Sequence, residues 1–238
     1  MRAFHTYLWR TSVLLAPLAA ALAVAPAQAG VYVSSYSVPH NVNVHSSGPG
    51  GFAEYSGAGQ IVLKTAPTPA GPFSALPVWC VDLFDWLTTP ATFTDGTLTT
   101  NGKGVALSAA QVSRVAALIQ HGDAMMTGAA PVTPGYSLNQ ASAAIQIAIW
   151  EVENGAGYTF TSDDGALNGP GGLVARYVGN VTGGAPAWTA LPFTTVRTLE
   201  APGDQTQAYA SVPEPATLSV LGVGMVGLLA LGRRHRRG

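Results

Sequence analysis

The sequence predicts a β-rich α+β fold, a single barrel- or sandwich-like domain with at least two packed helices. Three observations predict it. Short segments rich in valine, tyrosine and threonine, separated by Gly/Pro/Asn/Asp clusters, occupy both ends of the body. Two apolar-periodic stretches with candidate caps, one from Ser108 and one from Ser137 or Asn139, lie between them. The body, from residue 30 to about 212, is long enough for one hydrophobic core.

The first strand signal is VYVSSYSVPHNVNVH (31–45), partly alternating and interrupted by Pro39, one or two half-buried strands. His40 and His45 lack acidic or cysteine neighbours in sequence and read as ordinary polar positions. Residues 46–51 form a turn region, GQIVLKT (59–65) a strand, and 66–75 a proline-rich loop. In PVWCVDLFDW (77–86), aromatic and β-branched residues favour a buried strand. Trp79, Val81 and Leu83 would share one face, with Cys80 and Asp82 on the other. ATFTDGTLTTNG (91–102) carries Asp-Gly and Asn-Gly pairs, which suggest hairpin turns.

Ser108 with Gln111 makes a capping box, and Val112, Val115, Leu118 and Ile119 follow at helical spacing, with Gly122 as a candidate terminator. His121 falls near that end, where a helix dipole favours it. Asn139 or Ser137 opens the second helix, apolar almost throughout 141–150 and therefore central. Gln146 and Trp150 lie one turn apart on it, and a glutamine there needs partners or a chemical use. Asp163 and Asp164 lack the spacing of a calcium loop. A short helix at 173–177 and strands at 194–199 and 205–210 complete the body.

Charge excludes one function class. Of 11 basic residues, Arg2, Arg10, Arg233, Arg234, Arg236 and Arg237 sit at the ends, leaving an acidic body without a basic footprint for nucleic acid. Arg2 and Arg10, an apolar run and Ala27-Gln28-Ala29 make residues 1–29 a signal peptide. Residues 216–232 are uncharged and would span roughly 25 Å as a helix, near the lower limit for crossing a bilayer. The arginines behind them would stay cytoplasmic. In an exported chain the lone Cys80 has no cysteine to pair with. It is an inert buried thiol, half of an intermolecular disulfide, or used in other chemistry.

Pro213-Glu214-Pro215, the apolar run and the arginine cluster together resemble the PEP-CTERM sorting signal of Gram-negative bacteria. The resemblance implies export, transient retention in the inner membrane, processing by an exosortase-type enzyme, and a destination at the cell surface, extracellular matrix or biofilm. Trp79-Cys80-Val81-Asp82 and Ile145-Gln146-Ile147-Ala148-Ile149-Trp150 resemble the two motifs of Cys-Gln thioester-forming surface domains. Trp79 stands where that family usually has tyrosine, phenylalanine or leucine. This second resemblance implies an internal thioester between Cys80 and Gln146, formed with loss of ammonia, supported by Trp150, Trp79, Asp82 and Ala148. It also implies adhesion through an amine-bearing surface or matrix macromolecule.

The organisation that follows is a signal peptide (1–29), a thioester-like extracellular domain (30–205), a short linker (206–212) and the sorting signal (213–238). No cofactor, metal or catalytic turnover is expected. Two alternatives stand beside covalent attachment. One is a structural matrix or biofilm protein without target capture. The other is a cysteine hydrolase pairing Cys80 with His121, His40 or His45, for which no supporting nucleophile context is visible.

Overall fold

The computed structural model describes residues 30–184 and 186–211. The signal peptide, the apolar run 216–232, Pro213, Glu214, Pro215 and the terminal arginines lie outside the described residues.

Seven strands and three α-helices are present among the described residues. Strands β1 (Gly30–Gly48), β2 (Phe52–Ala66), β3 (Ser74–Cys80) and β4 (Ala91–Thr97) precede helices α1 (Ala109–Met126) and α2 (Leu138–Asn154). Strand β5 (Thr159–Ser162), helix α3 (Leu173–Thr182), β6 (Thr195–Glu200) and β7 (Gln207–Ser211) follow. The order β2-β3-β7-β6-β4-β1, with β1 pairing back to β2, closes a six-stranded antiparallel barrel. The expected β-rich α+β domain with a central Gln-bearing helix is therefore what forms, and closure removes the exposed edges an open sheet would leave.

One long strand takes the place of the one or two expected at 31–45. The N-terminal half of β1 pairs with β4, and its distal half carries β5. It bends at register shifts between Val33/Ser35 and Ser37/His40. Pro39 falls inside the second shift, where its missing N–H costs no ladder bond. The Asp95-Gly96 pair is not a turn: both residues pair within the β4–β6 ladder, with Leu199 and Thr198. A Cβ on Gly96 would lie 2.6 Å from Thr198 Oγ1, so the glycine serves close side-chain approach. Asn101-Gly102 does turn, with Asn101 N–H donating to Val105 O at 3.0 Å. The expected linker is also corrected, because residues 207–211 form β7, which joins β3 to β6 and completes the barrel.

Helix α1 starts at the capping box read from sequence, Ser108/Gln111, and of the two starts open for α2 it is Ser137 that caps, in a second box with Gln140. Helix α1 does not stop at Gly122. A Cβ there would sit 2.6 Å from Trp79 Cζ2 and 3.0 Å from Ile145 Cγ2, so this glycine lets α1 close on the barrel and on α2. Every residue of α2 from Ala141 to Trp150 is buried, enclosed by β1, β2, α1 and α3. A helix apolar on all sides can only be stable in that position.

Candidate functional site

The site lies where β2 and β3 part. Their ladder runs from Thr65↔Ser74 to Ile61↔Val78 and goes no further. Cys80 continues opposite Gln207 of β7, and Val81 N–H donates to Thr206 O at 3.1 Å. Main-chain groups point to alternate sides along a strand, so the Cys80 N–H and C=O face the side that β2 has left. They are buried, and burial without partners would cost about 1–3 kcal/mol each.

Helix α2 fills the gap. Gln146 Oε1 accepts from Cys80 N–H at 3.0 Å, and Gln146 Nε2 donates to Cys80 O at 2.8 Å. The carboxamide thus mimics a strand's peptide group. One turn earlier, Ser142 Oγ accepts from Gln60 N–H at 2.8 Å on the β2 side of the split. Ser142 and Gln146 are both 0% exposed. The i, i+4 pair places both on the face that wedges the strands. Sequence reasoning found Gln146 but missed Ser142. The signal available was its position one turn before Gln146.

Cys80 is a free thiol, 2% exposed, and its Sγ–H donates to Asp82 O at 2.8 Å. Burial pushes the thiol pKa well above its ordinary value; the Asp82 main chain and the Trp150 indole oppose this in part, and the negative charges of Asp82 and Glu153 add to it. Trp150 is 3% exposed beside it. Its Nε1–H meets no acceptor at hydrogen-bond geometry, so it remains a buried donor rather than a bonded one. Ala148 is fully buried within the same helix.

The remaining expected site residues are placed differently. Strand β3 ends at Cys80, so Asp82 lies beyond the strand, and it is its main-chain carbonyl rather than its carboxylate that accepts from the thiol. Asp82 Oδ1 instead accepts from Phe84 N–H at 2.9 Å, holding its own loop. Trp79 points away from the thiol, with Nε1 donating to Asp123 Oδ1 at 2.9 Å. Gln60 Nε2 donates to the same oxygen at 2.7 Å, so Asp123 of α1 ties both parted strands. Its carboxyl pKa rises to about 6, because desolvation outweighs the two donated hydrogen bonds.

Glu153 was not anticipated. It is 3% exposed, both its oxygens lack partners, and burial followed by repulsion from Asp82 raises its pKa well above the ordinary value. Seven residues beyond Gln146, it returns to the same helix face. A protonated acid is the state such a site favours.

Outside this cluster the histidines have structural uses. His40 Nδ1 meets Asn139 Oδ1 at 2.8 Å, His45 Nε2 approaches Asp163 at 3.2 Å, and His121 stacks on Trp188 with centroids 4.4 Å apart. None bonds to Cys80, and no group of three metal-ligating side chains occurs among the described residues. A cleft of about 510 Å³ borders Asp82 and is lined also by Asp85, Glu200 and Asp204.

Comparison with known families matches residues 211–237 to the PEP-CTERM protein-sorting motif. Comparison with curated proteins and with solved structures finds no match. The match begins on the last barrel residue, Ser211, and supports an exported surface protein.

Proposed function

We propose that this chain is an exported structural component of a cell surface, extracellular matrix or biofilm that does not capture targets covalently. Its C-terminal segment would hold it transiently at the inner membrane until an exosortase-type enzyme acts there; the sorting motif at 211–237 supports this. No catalytic turnover belongs to the role.

One observation carries the structural reading. Gln146 spends both ends of its carboxamide on the Cys80 main chain, and the thiol spends its proton on Asp82 O. With Cys80 2% and Gln146 0% exposed, an external amine has no approach, and the raised thiol pKa leaves little thiolate. Cys80, Gln146 and Ser142 then act as a clasp that holds a parted barrel around its central helix.

A second reading is favoured by the direct contact of Gln146 with Cys80. Rotation of the carboxamide from the main chain toward Sγ would let sulfur attack the amide carbon. The S–C bond would form, the C–N bond would break, and the thiol proton would leave with the amide nitrogen as ammonia. Such a thioester would either brace the fold or await an amine-bearing surface or matrix macromolecule.

Intact mass of the purified chain tests both. The structural reading expects no mass change on methylamine treatment of the folded protein. A mass deficit of one ammonia, lost in Cys80→Ala, would establish the thioester. A methylamine adduct on the folded chain would establish capture and overturn the structural reading.

A further inference from the structure

At the opposite end of β7 from Cys80, the turn Leu191-Pro192-Phe193-Thr194 presents apolar side chains to solvent. Thr194 N–H donates to Leu191 O at 3.1 Å, closing a turn with proline at its second position. The third position of such a turn needs positive φ and ordinarily takes glycine. Here it is Phe193, at φ 64°. A bulky residue in that region is strained, by about 1–3 kcal/mol. Phe193 is nevertheless 86% exposed and Leu191 60% exposed, so no packing within the domain offsets the strain.

The turn is held rigidly. Gln120 of α1 accepts from Leu191 N–H at 2.9 Å and donates to Thr194 Oγ1 at 2.8 Å. Beside it an apolar groove of about 560 Å³ runs over Leu98, Leu107, Val112 and Ala116, and no charged side chain lines it.

The chain's exit fixes the occupant. Ser211 pairs with Thr195, the residue after this turn, on strands about 4.8 Å apart. The uncharged run begins at Ala216, five residues on, a reach of at most about 18 Å. If that run enters a bilayer, the turn cannot be far from the lipid surface. We infer that Leu191 and Phe193 insert into the bilayer interface beside the C-terminal segment, giving the domain a second, apolar point of membrane contact. With no cation in the groove, the contact is to acyl chains and not to anionic headgroups. It would orient the barrel with the Cys80 end and the β1–β2 hairpin pointing away from the membrane.

The inference rests on the reading that residues 216–232 enter a bilayer, and the test separates the two. The full chain is reconstituted in phosphatidylcholine vesicles with a nitroxide at Phe193→Cys, Gly224→Cys or Ala53→Cys, the last at the far hairpin. Phe193 and Ala53 are exposed, so neither change threatens folding, and the chain without an introduced cysteine controls for Cys80. The expected result is a several-fold loss of access to a water-soluble nickel quencher, with gain of access to oxygen, at 224 and 193 but not at 53. Protection at 224 with free quenching at 193 would overturn the inference alone. Free quenching at 224 would overturn the membrane reading and the inference together. Protection at 193 without vesicles would overturn it in favour of the chain's own tail, or a second copy, filling the groove.

Discussion

Replacing Gln146 by leucine keeps the volume of the site and removes both bonds to the Cys80 main chain. Two buried groups lose their only partners. At about 1–3 kcal/mol for each orphan, the loss is about 2–6 kcal/mol. With a urea slope of about 2 kcal/mol/M, the unfolding midpoint falls by roughly 1–3 M. Gln146→Glu behaves differently: a protonated carboxyl can accept from Cys80 N–H and donate to Cys80 O, but a carboxylate can only accept. Its folded-state pKa is raised, so the Glu variant approaches wild type in acid and loses stability as pH rises above the unfolded value of about 4.3. Cys80→Ala leaves the main-chain clasp intact and deletes only the thiol bond to Asp82 O, costing about 1 kcal/mol. Equilibrium urea unfolding followed by tryptophan fluorescence at several pH values reads all three. Equal losses for Gln146→Leu and Cys80→Ala, or a loss below about 0.5 kcal/mol for Gln146→Leu, would refute the clasp.

Other consequences follow from the same geometry. Gly122→Ala pushes against Trp79 Cζ2 at 2.6 Å, and overpacking of about 1–3 kcal/mol should exceed the helix-propensity gain of about 1 kcal/mol, lowering the thermal midpoint. Burial raises the Asp123 carboxyl to about 6, above the ordinary aspartate value of about 3.9, so the folded state holds the extra proton and stability falls as pH rises from about 4 to 6, then levels. Asp123→Asn should flatten that limb in urea titrations while keeping the bonds from Trp79 and Gln60. Glu153 adds a decline at higher pH in the same direction, which Glu153→Gln should remove. Phe193→Gly should raise stability by about 1 kcal/mol in thermal unfolding, because positive φ costs glycine nothing.

Much of the fold was legible because local signals and tertiary needs agreed. The Ser108/Gln111 capping box set the start of α1, Ser137 was one of two candidate starts for α2, and the apolar run 141–150 marked α2 as central. Local rules failed where packing overrode them. Gly122 reads as a helix stop but is a contact point, and Asp95-Gly96 reads as a turn but lies in a ladder. Gln146 was legible as a polar residue needing partners; that its partner is the Cys80 backbone was not. That depended on β2 and β3 separating after Val78, a consequence of barrel closure with no local sequence signature. Glu153 was hidden for the same reason, because a glutamate near a helix end ordinarily faces water.

The central claim is that Cys80 and Gln146 are sealed inside the fold and capture no external amine. Intact mass of the folded wild-type chain, before and after methylamine, tests it most directly. The account predicts the same mass in both samples. A methylamine adduct that forms on the folded wild type and is absent from Cys80→Ala would contradict it.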